Sequence, residues 1–425
     1  MFTLQGFLLP RNCNTSRRSM LFNTAANALD AAQTLLLFIV ITRTCGAVEG
    51  GIFSISMAIA YQMVTIGRYG MRDYQATDIR GDFSFSAYFF SRVVTVFGMF
   101  VWLAAYIVLG GYEPEKASII IAVAFYKSID VLEDVYHGYY QHEGRLDSAS
   151  LAQTIRLGST IVLYISAVLL SSNLLLSTII SAIYSLLAFV FLNRVLRAEF
   201  SDPVFLYGQC TAIKKLLLIC APLGISGFLQ LFIVNYPKYA IDMFLSDTAQ
   251  SYYGALSMPV FVINLLSISI FRPLLIQLAQ HWHSSNKPAL NLMLRKQLCF
   301  VAAVTATAMI AGYLLGIPVL TWMYGIDLNG YRPSLMILLM GGGMAALSGF
   351  MTSIIAVIRA QKYLLIVYGL TMLLEVGIAP ILVQNMGVYG ASILFTASML
   401  MLAIVTSGIV IGVMMKSHLQ ERKTQ

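Results

Sequence analysis

Continuous apolar runs of about twenty residues recur along almost the whole of this 425-residue chain, with only short polar breaks between them. A run of roughly 20 apolar residues is what an α-helix needs to cross the hydrocarbon of a bilayer. Without water, backbone N–H and C=O groups are satisfied only in helices or closed barrels. The runs are continuous rather than alternating, which excludes barrel strands. The composition agrees: 58% of residues are hydrophobic and 11% are charged, against roughly 25% charged in an ordinary soluble domain. So little charge cannot cover a water-facing surface, so lipid must cover much of it. The fold class is therefore an all-α integral membrane protein.

Twelve spans are expected. They are Met20–Thr42, Gly50–Gly70, Phe85–Leu109, Ala117–Tyr139, Ser148–Leu170 and Leu174–Leu196, then Leu216–Tyr236, Tyr252–Leu278, Arg295–Ile317, Ser334–Ile358, Tyr363–Val383 and Val388–Met414. Lys and Arg fix the orientation, because they concentrate on the cytoplasmic side. With the N-terminus inside, twenty of the 27 lie on the inner side and only Arg43, Lys116, Lys238 and Arg332 on the outer side. Adding or removing one span scrambles that division. The expected setting is thus the plasma membrane, with both termini cytoplasmic.

Other classes find little support. The basic residues recur between apolar runs rather than forming one patch, so nucleic acid is not an expected partner. The five cysteines form no CxxC and no Cys/His cluster, and His281-Trp282-His283 alone is a weak metal signal, so neither a zinc site nor a disulfide framework is expected. Arg11, Arg17 and Arg18 precede a first run too long for a signal h-region, and it is read as a retained helix. There is no GxxxxGK[ST] phosphate loop and no loop long enough for a soluble catalytic domain, so no catalytic residue, cofactor or metal is expected.

The longest break, about Arg197–Lys215, leaves six spans on either side and suggests lobes at 1–205 and 206–425. Each half opens with a basic pair, Arg17-Arg18 and Lys214-Lys215, followed by an apolar run studded with polar residues. Each second helix ends in arginine, Arg68 and Arg72 against Arg272. Positive-inside topology alone could place these residues, but two parallel six-helix bundles are also a familiar transporter plan.

Three features carry a family resemblance: the first helix bearing Asn23, Asn27, Asp30 and Gln33; the segment Gly70-Met71-Arg72-Asp73-Tyr74-Gln75; and Asn235 to Asp242 followed by Ser251-Tyr252-Tyr253-Gly254. In these the chain resembles the multidrug/oligosaccharidyl-lipid/polysaccharide (MOP) exporter superfamily, and within it the Wzx-type polysaccharide flippases. The resemblance covers essentially the whole chain through diffuse motifs. It implies two six-helix lobes around a central cavity that opens alternately to either side. It also implies export of a lipid-linked oligosaccharide, with membrane lipids around a monomeric protein and glycan polymerases or glycosyltransferases as partners.

Ionisable groups inside a span cost about 2.5–3.5 kcal/mol each on insertion scales, which makes them functional candidates. On the fourth span Lys127, Asp130, Asp134 and His137 share one helical face, with Glu133 beside them. Lys127 can pair with Asp130 at i+3. These residues make either a polar cavity wall with a protonatable carboxylate or an ion-pair ladder between helices. Asn23, Asn27 and Asp30 form a second stripe, and Asp30 is the hardest residue to explain by packing. Arg92 and Arg156 lie about two turns inside their spans. With Arg68, Arg72 and Arg272 they are expected to make the inner cavity cationic, a match for a pyrophosphate recognised by bidentate guanidinium contacts. Arg68 and Arg72 equally suit topology anchors. Lys238 and Asp242 form either an outer gate or an interfacial ion pair, and Glu375 stands mid-span with no neighbouring charge.

Three functions follow. The first is a flippase moving a polyprenyl-pyrophosphate-linked oligosaccharide from the inner to the outer leaflet for surface polysaccharide synthesis. The alternative is a multidrug or metabolite exporter of the same fold coupled to H⁺ or Na⁺ through membrane carboxylates. A membrane glycan polymerase fits least, since the outer loops are short and poor in charge.

Overall fold

The computed structural model describes residues 8–9, 15–78, 81–197, 210–284 and 287–424, and among these every regular element is a helix. The first compact unit, Met1–Phe228, contains α1 (Thr15–Cys45), α2 (Ala47–Arg68), α3 (Met71–Thr77), α4 (Phe85–Gly110), α5 (Pro114–His142), α6 (Leu146–Ser171) and α7 (Leu174–Arg197). Helix α8 (Cys210–Phe244) runs from this unit into the second, Leu229–Gln425. There follow α9 (Asp247–His283), α10 (Lys287–Ala311), a π-turn at Gly312–Gly316, α11 (Ile317–Tyr324), α12 (Arg332–Val357) and α13 (Lys362–Thr424). The break expected to separate the lobes falls largely at 198–209, outside the described residues, and the two units part within α8.

Among the described residues nine helical stretches are long and apolar enough to cross a bilayer. The last of them is two legs rather than one, because Gly387 at φ 59° and ψ −136° breaks α13. Helix α5 is missing from the nine because it carries Lys127, Asp130, Glu133 and Asp134. With α5, α9 and both legs of α13 counted, each of the twelve expected spans coincides with a helix or a leg of one. The protein is a multi-pass membrane protein.

The helix ends are set by local chemistry. Helix α2 closes on Tyr69 and Gly70, both left-handed, with the Tyr69 N–H returned to Thr65 O at 2.9 Å. Ser84 caps α4 by accepting from the Ala87 N–H at 3.2 Å, and Ser246 caps α9 in the same way at 3.3 Å.

Two spans run further than expected. The seventh was expected over Leu216–Tyr236 and the ninth over Arg295–Ile317. Helix α8 instead continues through Pro237 to Phe244 and carries Lys238 and Asp242. After α10, the π-turn resets the register, and Pro318 enters at the first turn of α11, where a missing N–H costs nothing.

In the first unit α5 is the central element, packed against α2, α4, α6 and α7, while α1 lies along α6. Ser177, Thr178, Ser181 and Ser185 make one buried face of α7. The first three of these hydroxyls donate to the carbonyl four residues back, the economical arrangement where no water is present. In the second unit α12 packs between α9, α10 and α13. A Cβ at Gly316 would meet Leu335 Cδ2 at 2.5 Å, and one at Gly342 would meet Val260 Cγ1 at 3.0 Å, so these glycines mark close helix contacts.

Candidate functional site

The charged face of α5 is the centre of a network reaching six other helices. At one end the Lys127 ammonium bridges Asp30 of α1 at 2.9 Å and Asp130 of its own helix at 2.5 Å. It also lies 4.9 Å from the centre of the Tyr61 ring on α2, whose hydroxyl bonds Thr34 of α1 at 3.1 Å. In the middle stands Arg156 of α6. Its Nη2 donates to Asp130 Oδ1 at 2.6 Å and Glu133 Oε2 at 2.8 Å, its Nε to Glu133 Oε1 at 3.2 Å, and its Nη1 to the Ser185 hydroxyl of α7 at 2.7 Å. At the other end Asp134 takes Arg92 of α4 at 2.9 Å and Arg72 of α3 at 3.1 Å.

Four carboxylates (Asp30, Asp130, Glu133 and Asp134) thus face four cations (Lys127, Arg156, Arg92 and Arg72). The balance explains how so many charges persist inside an apolar bundle. Removing an ion from water costs several kcal/mol even after relaxation, and attraction offsets this only where the partners are close and the remaining polar atoms bonded. Arg156 meets that condition in full. Arg92 nearly does: its Nη1 donates to Gly67 O at 2.7 Å, while its buried Nε has no hydrogen-bond partner among the described residues. The Thr95 hydroxyl donates to the same carbonyl at 2.8 Å.

The expected site residues fall into separate groups. Asp30, Lys127, Asp130 and Asp134 are brought together. Arg92 and Arg156, expected on a cationic cavity wall, lie inside the unit at 1% and 0% exposure, with carboxylates against their guanidinium groups. Burying a charge requires a partner, and on α5 the partners were available. Arg72 joins the network at its edge, partly exposed. Arg68 is exposed, with no ion-pair partner among the described residues. Asn27 is exposed on α1, one turn from Asp30. Lys238 and Asp242 are half-buried one turn apart on α8. Arg272 lies outside the described side chains.

Asp30 is the most open acid of the network, with 35% of its side chain exposed, whereas Lys127 beneath it is only 2% exposed. Ser185, Tyr61 and the Gly67 carbonyl are members that the sequence analysis missed. Only the need of a deep arginine for acceptors pointed to them, and it could not say on which helix they lie.

Beside the network, α3 is clamped onto α5. The Gln75 amide donates to Val135 O at 3.3 Å and its side chain lies directly over Gly138, where any larger residue would collide. No family model and no curated protein matches the sequence. Solved structures do. An inward-facing multidrug resistance MATE family transporter of the MOP superfamily superposes with a TM-score of 0.69 at 15% identity, over 94% of this chain and 99% of that one. This chain has the MOP transporter fold.

An outward-facing multidrug resistance MATE transporter of that superfamily gives a TM-score of 0.60 at 14% identity, over 99% and 100% of the two chains. A MOP superfamily transporter from Pyrococcus furiosus gives 0.57 at 18% identity, over 99% of each. The MOP transporters matched here are thus similar along nearly their whole length, as expected of twelve helices in two lobes. At these identities the likeness concerns the fold. The charge network has to be read from this chain's own residues.

Proposed function

We propose that this protein is a cation-coupled exporter in which the Asp30–Lys127 pair is the coupling element. One observation carries the reading: the most open acid of the network contacts the lysine that heads the buried series. Asp30 is open enough to exchange H⁺ or Na⁺ with a water-filled path, and Lys127 holds two carboxylates at once. Neutralising Asp30 releases one of them. Lys127 then turns fully onto Asp130, which weakens the hold of Asp130 on Arg156 and so the tie between α5 and α6. A single binding event on α1 is in this way transmitted to three helices by direct contacts. Such a change suits alternating access, since the ligand binds differently before and after it.

The test is transport by the purified protein in proteoliposomes. An imposed H⁺ or Na⁺ gradient is expected to drive export, and Asp30→Asn to abolish the gradient dependence. Gradient-driven transport that is unchanged in Asp30→Asn would sink the proposal.

A second reading concerns the cargo and is compatible with the first. Arg68 is exposed and Arg72 partly so, on either side of the left-handed turn at Tyr69-Gly70. Two accessible guanidinium groups favour a polyanionic headgroup, and a polyprenyl-pyrophosphate-linked oligosaccharide moved from the inner to the outer leaflet supplies one. The setting is then the plasma membrane, with cytoplasmic termini and glycan-assembling enzymes as partners. Native mass spectrometry with polyprenyl-pyrophosphate sugars distinguishes the cargoes: binding lost in Arg68→Ala supports the lipid-linked sugar. Undiminished binding and export of hydrophobic cations, with no lipid-linked sugar retained, supports a small-molecule exporter.

A further inference from the structure

Helix α8 begins with two lysines that the network does not use, and they meet different surroundings. The Lys215 ammonium lies 5.8 Å from the centre of the Phe83 ring, and its neighbours Leu216 and Cys220 are buried with Met71, Phe83 and Tyr88 of the first unit. Lys214 is exposed and has no ion-pair partner among the described residues. It lines a groove of about 370 Å³. One face of α8 makes most of that groove: Ile213, Leu217 and Ala221 recur four residues apart, with Lys214 and Leu218 in the adjoining row. Val94 of α4 and Tyr69 complete the lining with Cys210. Tyr69 is held by close packing. It adopts φ 50°, and an added Cβ at Gly224 would meet its Cδ2 at 3.0 Å. A Cβ at Gly70 would likewise meet Leu223 Cβ at 2.8 Å. These contacts tie α8 to the turn between α2 and α3, one helical turn beyond Ala221.

The groove is open on its flank, where Val94 is 48% and Leu218 66% exposed. In a bilayer such a flank meets lipid. Lys214 stands two residues ahead of the expected span Leu216–Tyr236, at the level of the headgroups. Leu218 and Ala221 lie about 6 and 10 Å further along the helix axis, at the level of the acyl chains. An apolar groove with an unpaired ammonium at its interfacial end is complementary to a phospholipid, phosphate on the ammonium and one chain along the groove. Charge decides the headgroup. No acid lines the groove to offset Lys214, and exposed Arg68, next to Tyr69 in sequence, adds a second cation without an ion-pair partner. That surplus favours a net-anionic headgroup over a zwitterionic one, whose own cation it would repel. We propose that this groove is a binding site for an anionic glycerophospholipid, with Lys214 holding the phosphate. The site faces the surrounding bilayer, and its existence depends neither on the coupling role of Asp30 nor on the cargo.

Native mass spectrometry of the full-length protein, with phosphatidylglycerol or phosphatidylcholine added, counts the lipid retained. The wild type is expected to keep one phosphatidylglycerol more tightly than phosphatidylcholine. Lys214→Gln should weaken that binding roughly fivefold, the effect of one lysine charge beside an anionic lipid, and Lys214→Arg should keep it. Lys362→Gln removes an exposed lysine of the second unit and should leave it unchanged. Ala221→Phe fills the groove with the charge intact and is expected to lose the lipid. Equal retention of the two lipids, or binding undiminished in Lys214→Gln or in Ala221→Phe, overturns the proposal. So does retention of a polyprenyl phosphate in preference to phosphatidylglycerol, which would assign the groove to cargo. A second measurement needs no variant. Phosphatidylglycerol carrying a photoreactive acyl chain is expected to label the peptides containing Val94 and residues 217–221 in wild-type protein in liposomes, and labelling absent from both overturns it. Neither readout involves transport, so failure here is separable from failure of the coupling reading.

Discussion

Arg156 of α6 grips Glu133 of α5 with two prongs, Nε to Oε1 at 3.2 Å and Nη2 to Oε2 at 2.8 Å, while the same Nη2 reaches Asp130 at 2.6 Å. The geometry is the parallel fork that guanidinium makes and ammonium cannot. Arg156→Ala is therefore expected to destabilise the protein by about 3–5 kcal/mol, because it strands two buried carboxylates. Arg156→Lys should recover only part of this. Thermal unfolding in detergent checks both, and a loss below about 1 kcal/mol for Arg156→Ala would show that water reaches these acids.

The Asp30 end behaves differently. Asp30 has one ionic partner, and its side chain is one-third exposed, so an ion pair there contributes about 0–1 kcal/mol. Asp30→Asn is expected to unfold close to the wild-type temperature while losing ion-coupled transport. Asp130→Asn, buried between Lys127 and Arg156, is expected to lower the unfolding temperature clearly. Comparing melting and proteoliposome transport for the two variants separates coupling from structure.

Gly67 sits where α2 crosses α5. An added Cβ would meet Val131 Cγ1 at 2.8 Å, Val131 Cγ2 at 3.2 Å and Met99 Sδ at 3.3 Å. Its carbonyl also accepts from Arg92 and Thr95. Gly67→Ala is expected to cost about 1–3 kcal/mol through overpacking. Gly98, with open space around its Cβ position, is the control, and Gly98→Ala should be neutral or slightly stabilising in the same melt.

Asp78 lies after α3, outside the spans, and ties the chain back before α4. Burial alone would raise its pKa. The backbone N–H of Asp82, the Tyr88 hydroxyl and the backbone N–H of Phe83 outweigh burial and hold the carboxyl below its ordinary value. A group depressed on folding stabilises above its unfolded pKa of about 3.9 and loses that contribution as pH falls through the folded value. Stability from Asp78 is thus full at neutral pH and fades under acid. Asp78→Asn should melt lower than wild type at neutral pH, with the gap narrowing as the pH is lowered below about 4. A gap constant with pH would mean that the carboxylate charge plays no part.

The membrane class and the twelve spans were legible in the sequence, because hydropathy is a local property that adds along the chain. The Lys127–Asp130 contact was legible too, since helical spacing puts i and i+3 on one face. The ends of the seventh and ninth spans were less legible, because a proline reports one missing hydrogen bond and says nothing of how the next turn accommodates it. The partners of the buried charges were decided by the tertiary structure alone. Arg92 and Arg156 looked like a ligand-binding surface from sequence, yet the depth and rotation of α5 set Asp134, Asp130 and Glu133 against them. The same folding left Asp30 open and Glu375 buried. Pairing between helices depends on how each is turned about its axis, and residues 97 positions apart, such as Asp30 and Lys127, carry no trace of that in their local sequence.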